Sequence, residues 1–146
     1  MQYMSIKPIG HVKNNIKEPV REGWEMVVSE LVLNNDLEEA IEGLEQFSHI
    51  IVVFWMHKDP SEKRVPTKVH PRGRYDLPLV GLFSTRSPHR PNSIGISAVR
   101  LLERKGNVLK VEGLDAIDGT PIIDIKPYLP GDCVPDTAFP QWVAKL

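Results

Sequence analysis

A single cysteine, Cys133, stands among the 146 residues of this chain. One thiol excludes an intramolecular disulfide framework and fits a reducing compartment. It also leaves zinc without a cysteine pair, and the five histidines (His11, His49, His57, His70 and His89) show no metal-ligand spacing. Cys133 is expected to be a small buried residue rather than a nucleophile. Long apolar runs are missing too. The longest, Ile50 to Met56, is far too short to cross a bilayer. Lys7 and Pro8 interrupt the apolar residues near the N-terminus, where a secretory leader would need them unbroken. Charge of one sign is lacking as well. Eighteen Lys and Arg against 19 Asp and Glu give a formal net charge of −1, so no global field draws in nucleic acid and any such contact needs a local patch. There is no P-loop, no G-x-G-x-x-G after a strand and no G-x-S-x-G, which sets aside a Rossmann cofactor site and a serine nucleophile. These absences lead us to expect a cytoplasmic, single-domain protein over 1–146, without metal and without a membrane partner.

What is present reads mostly as strands. Residues 4–12 alternate loosely, with Pro8 pointing to an edge or a bulge. Residues 13–23 are polar and loop-like, and Trp24 to Leu33 reads as a second strand. Leu37, Ala40, Ile41 and Leu44 then fall on one face of a short helix, with Asp36 and Glu39 spaced as a capping box. The β-branched run Ile50–Met56 predicts a central strand buried on both faces. Residues 57–79 hold Pro60, Pro66, Pro71, Gly73 and Pro78 and predict a long loop. Strands follow at Val80 to Thr85, Ile96 to Glu103, Val108 to Glu112 and Ile122 to Ile125, and the tail from Pro127 is irregular. Many strands, one short helix and no βαβ alternation predict a mainly β fold. A single antiparallel β-barrel with long loops is the economical solution, because closure removes exposed edges.

Three features could carry chemistry. Gly81-Leu-Phe-Ser-Thr-Arg86-Ser-Pro-His-Arg90-Pro-Asn92-Ser-Ile-Gly95 places two arginines in a loop stiffened by Pro88 and Pro91. A rigid pair of guanidinium forks suits a carboxylate or a phosphate. Residue types alone equally allow a proline-rich loop with solvated arginines. Residues 57–90 carry eight positive and three negative charges. Such an excess neutralises phosphates in one reading and is merely a solvated loop in the other. Tyr75, Phe83 and His89 are candidates to stack on an extruded base, with Phe83 better placed in the core. Asp118-Gly-Thr-Pro121 is either a plain hairpin turn or a turn that hydrogen-bonds a ligand edge.

Taken together, the Gly81–Gly95 stretch, Asp118-Gly-Thr-Pro121, Asp124-Ile-Lys-Pro-Tyr128, Phe47-Ser-His-Ile50 and Phe54-Trp-Met-His57 resemble the TrmO (TsaA-like) family. The resemblance runs in order over nearly the whole chain. It implies S-adenosylmethionine-dependent methylation of RNA, best known as N6-methylation of threonylcarbamoyladenosine beside the tRNA anticodon. It also implies a single-sheeted barrel acting as a homodimer. By motif position, His57, Lys58, Arg86, Ile96, Asp118, Gly119, Thr120 and Pro121 would bind the cofactor, and Pro19 and Arg21 would do so by a looser match to the family's Pro-Arg-Gln segment. Ser93 stands where the family usually has proline, a change expected to loosen the loop slightly. Some members carry a further C-terminal domain. Lys68, Arg72, Arg74 and Arg90 are the expected RNA contacts, and Asp118 is the expected proton acceptor. Two other readings stay open: a non-catalytic RNA-binding barrel, and a methyltransferase for a small molecule.

Overall fold

The computed structural model describes residues 2–57 and 64–146. Eight strands occur in chain order: β1 (Gly10–Lys13), β2 (Val28–Leu33), β3 (His49–Trp55), β4 (Lys68–Val69), β5 (Val80–Gly81), β6 (Ile94–Lys105), β7 (Val108–Glu112) and β8 (Pro121–Pro127). The chain divides into two compact units, Met1–His57 with Gly95–Tyr128 and Lys58–Ile94 with Leu129–Leu146.

In the first unit six strands close into a barrel in the order β1-β2-β7-β6-β3-β8. The expected mainly β, antiparallel barrel is what the chain builds. Its core follows from strand register. Val12 pairs with Leu31, and Leu31 pairs with Leu109, so one rung places three fully buried side chains inside. The next rung, Lys13, Glu30 and Lys110, points the other way and alternates in charge. The period-2 pleat therefore separates an apolar interior from a charged exterior. Ile50, Val52 and Phe54 of β3, Val99 of β6 and Ile122 of β8 complete the interior.

Several sequence expectations need correction. β3 is not buried on both faces: Ile50, Val52 and Phe54 are buried while Ile51 and Val53 are half-buried and Trp55 is exposed. A barrel strand has one inner and one outer face, and a continuous apolar run cannot reveal that. The helix expected near residues 37–44 is a 3₁₀ helix over Asn35–Ile41, followed by a 3₁₀ turn at Leu44–Gln46. No capping box forms at Asp36, since the N-cap is Asn34 and makes no side-chain cap bond. The segment is too short for cooperative α-helix; Ile41 sits in the core, and Leu44 of the following turn packs against it. β1 starts at Gly10 rather than at residue 4, after Pro8, which cannot donate to a ladder. Trp24–Met26 forms a 3₁₀ turn ahead of β2.

In the second unit β4 and β5 pair antiparallel, Lys68 with Gly81 and Val69 with Val80. Structure thus appears inside the stretch expected as loop, and a 3₁₀ turn follows at Pro71–Gly73. The strand expected over residues 80–85 ends at Gly81 and rolls into a 3₁₀ turn at Leu82–Ser84. That turn buries Leu82 and leaves Phe83 75% exposed, so Phe83 is not core. Cys133 is exposed, not buried, in the tail beyond the turn Pro130–Asp132. Among the described residues no helix is long and apolar enough to cross a membrane.

Candidate functional site

The Asp118 turn belongs to the barrel unit and is fastened from several sides. The Asp118 amide donates to Ile16 O at 2.7 Å, and the Gly119 amide donates to Val12 O at 2.7 Å. The buried Thr120 hydroxyl donates to Ile117 O at 2.6 Å. Gly119 sits at φ 82°, a left-handed conformation that glycine adopts without a Cβ penalty. A Cβ built there would stand 3.9 Å from His57 Nε2, so two of the expected cofactor residues lie side by side. His57 itself comes from the loop just past β3 and is exposed.

The Asp118 carboxylate is already engaged. Its Oδ2 accepts from Lys17 Nζ at 2.6 Å and its Oδ1 from the Asn14 amide at 3.0 Å. The Lys17 hydrogen bond, then the Asn14 amide, hold the Asp118 carboxyl below its ordinary range, so it is ionised at neutral pH. Asn14 is a knot that sequence reading missed. Its side-chain amide donates to Ser29 Oγ at 2.9 Å and to Ala116 O at 2.8 Å, while its Oδ1 accepts from the Ile16 amide. Only the local Asn14–Ile16 bond has a sequence signature, as an Asx turn. The contacts a hundred residues away do not. Lys13, Asn14, Lys17, Glu30, Lys110 and Asp118 share an open cleft of about 340 Å³ with Asn15 and Val28. Pro19 and Arg21 follow in the same loop and are exposed. Ile96 is exposed on β6. Lys58 lies outside the described residues.

The Arg86–Arg90 loop belongs to the second unit. Arg90 is a brace: its Nη1 donates to Thr85 O at 2.8 Å and to Ser87 O at 3.2 Å. Thr85 Oγ1 donates to Leu82 O, and the Ser87 amide donates to Thr85 Oγ1. Ser93 is buried, and its hydroxyl donates to Pro88 O at 2.7 Å, a bond proline could not make. Arg86, by contrast, is exposed and has no hydrogen bond or ion pair among the described residues. Lys68 on β4 and Arg72 are exposed in the same way. Arg74 is committed, donating Nε and Nη2 to the two oxygens of Asp76 at 3.1 and 2.6 Å and Nη1 to Lys145 O. The structure thus sorts the expected RNA arginines into one brace, one ion-paired side chain and one open cation.

Within the second unit the exposed Arg86 fork suits a carboxylate. Within the barrel unit the Gly119 turn lies beside the His57 ring. Among the described residues no group of three or more His, Cys, Asp or Glu could hold a metal ion.

Residues 13–132 match the model of the tRNA-methyltransferase O N-terminal domain. The chain belongs to that family. An S-adenosyl-L-methionine-binding protein of Archaeoglobus fulgidus is 43% identical over 90% of this chain and 94% of its own length. The tRNA (adenine(37)-N6)-methyltransferase of Rattus norvegicus is 42% identical over 73% of the chain, which spans 24% of that enzyme. The crystal structure of TrmO from Pseudomonas aeruginosa superposes with a TM-score of 0.75 at 34% identity, covering 94% of this chain and 62% of that one. These relatives range from a protein of similar length to ones of which the chain spans a quarter to about three fifths. The TM-score and coverage show that the two chains share a fold.

Proposed function

We propose that this TrmO-family chain is an S-adenosylmethionine-dependent methyltransferase that acts on N6 of an adenosine in tRNA. Threonylcarbamoyladenosine beside the anticodon is the proposed substrate, the cytoplasm the proposed compartment and a homodimer the proposed working form. Residues 1–146 serve as one functional domain in this reading. The observation that carries it is the family match over residues 13–132, which includes the turn Asp118–Pro121.

When bound, the cofactor supplies an electrophilic methyl group on a sulfonium. His57, Ile96, Asp118, Gly119, Thr120 and Pro121 would hold it, with Pro19 and Arg21 from the preceding loop, and Lys58 and Arg86 by motif position. Arg86 has no competing partner within the described chain, which leaves its fork available for a carboxylate. The nucleophile N6 is delocalised into the purine, so alignment in a dry site supplies most of the rate. The target base must leave its stack to be reached. Once N6 carries a fourth substituent it is strongly acidic, and a weak base suffices. Asp118, ionised and held by Lys17 and Asn14, is the proposed acceptor of that proton and also fixes the turn. Lys68 and Arg72 are the proposed phosphate contacts, with Arg74 and Arg90 shaping the surface that presents them.

Labelled S-adenosylmethionine, total tRNA and nucleoside analysis of the product test the reading directly. Methylated threonylcarbamoyladenosine is expected. S-adenosylmethionine at about a hundred times its dissociation constant should add roughly 2.7 kcal/mol of stability, and Arg86→Ala should remove most of that gain. A wild-type chain with neither product nor thermal shift is not this enzyme.

A further inference from the structure

The Gly81–Gly95 motif contains an aromatic ring that the cofactor reading leaves unused. Phe83 is 75% exposed although the residue before it, Leu82, is buried. The backbone beneath the ring is locked. The Leu82 amide donates to Thr67 O at 2.9 Å and the Thr85 amide to Leu82 O at 3.1 Å. The Arg90 guanidinium lies 5.4 Å from the ring centroid, and the two carbonyl bonds described above hold it there. The ring also borders a mostly apolar cleft of about 400 Å³, walled by Val65, Pro66, Leu82 and Pro91. A water-exposed ring held rigid beside a fixed guanidinium loses little entropy when a flat partner arrives.

We propose that Phe83 is a stacking platform for an unpaired nucleobase of the RNA, with Arg90 as the group that positions the ring. The proposal rests on the RNA reading above. The charge of the surrounding unit favours a polyanion as the occupant. Over Lys58–Ile94 and Leu129–Leu146 the sequence holds nine basic residues and five acidic ones, a net +4. A second copy of the same surface would bring like charge against like. Single-stranded nucleic acid is recognised by this pairing of aromatic faces with cations. Tyr75, 88% exposed, offers a similar face in the same unit. Its ring packs 4.8 Å from His70, whose Nδ1 is fixed on Leu77 O at 2.8 Å.

The test uses the full chain without cofactor, an RNA stem-loop with an unpaired loop, and a fully paired duplex of the same composition. Phe83→Ala should weaken stem-loop binding about five- to a hundredfold, leave duplex binding and the salt dependence unchanged, and leave the melting temperature unchanged. Phe83→Trp should retain affinity, and its fluorescence should be quenched by the stem-loop but not by the duplex. Equal affinity of Phe83→Ala and wild type for the stem-loop overturns the proposal. So does an equal loss on both RNAs, or a change in self-association with RNA affinity intact, which would assign the ring to a second copy. Because the readout is binding without cofactor, failure of the methyl-transfer assay is a separate result.

Discussion

The two units of this chain carry opposite charge and are held together by different means. Over Met1–His57 and Gly95–Tyr128 there are fourteen acidic residues and nine basic ones, a net −5, against the +4 of the other unit. The overall value of −1 hides a chain that is acidic in one part and basic in the other. The acidic unit is a closed ladder around thirteen buried residues of one apolar cluster, all of them within its bounds. Among the described residues the basic unit has one two-residue strand pair, and its buried apolar side chains are Pro71, Leu77 and Leu82. Side-chain bonds to loop carbonyls, from Arg90, Ser93, Thr85 and Arg74, hold it instead. Stability concentrates where apolar area is buried, and recognition where polar groups face water.

The largest effect expected from this contrast is in the barrel. Leu31 is fully buried between Val12 and Leu109. Leu31→Ala should cost about 2–5 kcal/mol of unfolding free energy in urea, from lost transfer energy plus the cavity left behind. Arg72→Ala in the basic unit should cost nothing measurable on the same axis while lowering the salt dependence of RNA binding by about one phosphate contact. A Leu31→Ala loss below about 1 kcal/mol would mean that the closed ladder is not where the chain's stability resides.

A smaller effect tests the backbone rather than the core. Gly10 lies so close to β2 that an added Cβ would fall 2.3 Å from Val32 O and 2.9 Å from Leu33 Cα. Those neighbours are backbone, so no side chain can swing away. Gly10→Ala should cost about 1–3 kcal/mol in the same urea titration, as other overpacked sites do. Gly81 in the basic unit offers a matched control, because its nearest neighbour is Ser84 Oγ at 4.0 Å. Gly81→Ala should leave the urea midpoint where it was. Equal losses at the two glycines would erase the contrast between a tightly closed and an open backbone.

Legibility in the sequence followed the same division. The barrel strands could be read because their signal is local: alternating apolar residues around Leu109, and Val-, Leu- and Ile-rich runs around Leu31 and at Ile122–Ile125. β3 was found but not its one-sided burial, because its outer face is also apolar and half-buried, which alternation cannot report. Phe83 was misplaced because Val80 and Leu82 resemble a continuing strand, whereas the chain turns at Gly81. At the site, the residue types of the Asp118 turn and of the arginine loop were legible as motifs. The Asn14 knot and the Lys17–Asp118 pair were not, since they join residues about a hundred positions apart. Nor could the sequence tell a bracing arginine from an open one. Arg86 and Arg90 are chemically identical, and only the positions of the Thr85 and Ser87 carbonyls distinguish them.

The smallest expected effect compares one ion-paired carboxylate of each unit, Asp118 and Asp76. Lys17 and the Asn14 amide lower the Asp118 carboxyl from its ordinary range, and Arg74 lowers that of Asp76. A depressed folded pKa means that the unfolded chain binds the proton more readily. The stabilisation is therefore complete above the ordinary carboxylate value of about 3.9 and is lost as pH falls through the lower folded value. Asp118→Asn should lower the melting temperature slightly at neutral pH, and the gap to wild type should close as the solution is acidified below about 3.9. The Asp118 pair ties residues a hundred positions apart into the barrel, so its loss should register in the main cooperative transition. The Arg74–Asp76 pair spans two residues, and both partners are substantially exposed. Asp76→Asn should move that transition less and should instead speed proteolysis or hydrogen exchange around Tyr75. If the two variants shift the main transition by the same amount at every pH, the units unfold together and their opposite charge is a matter of recognition alone.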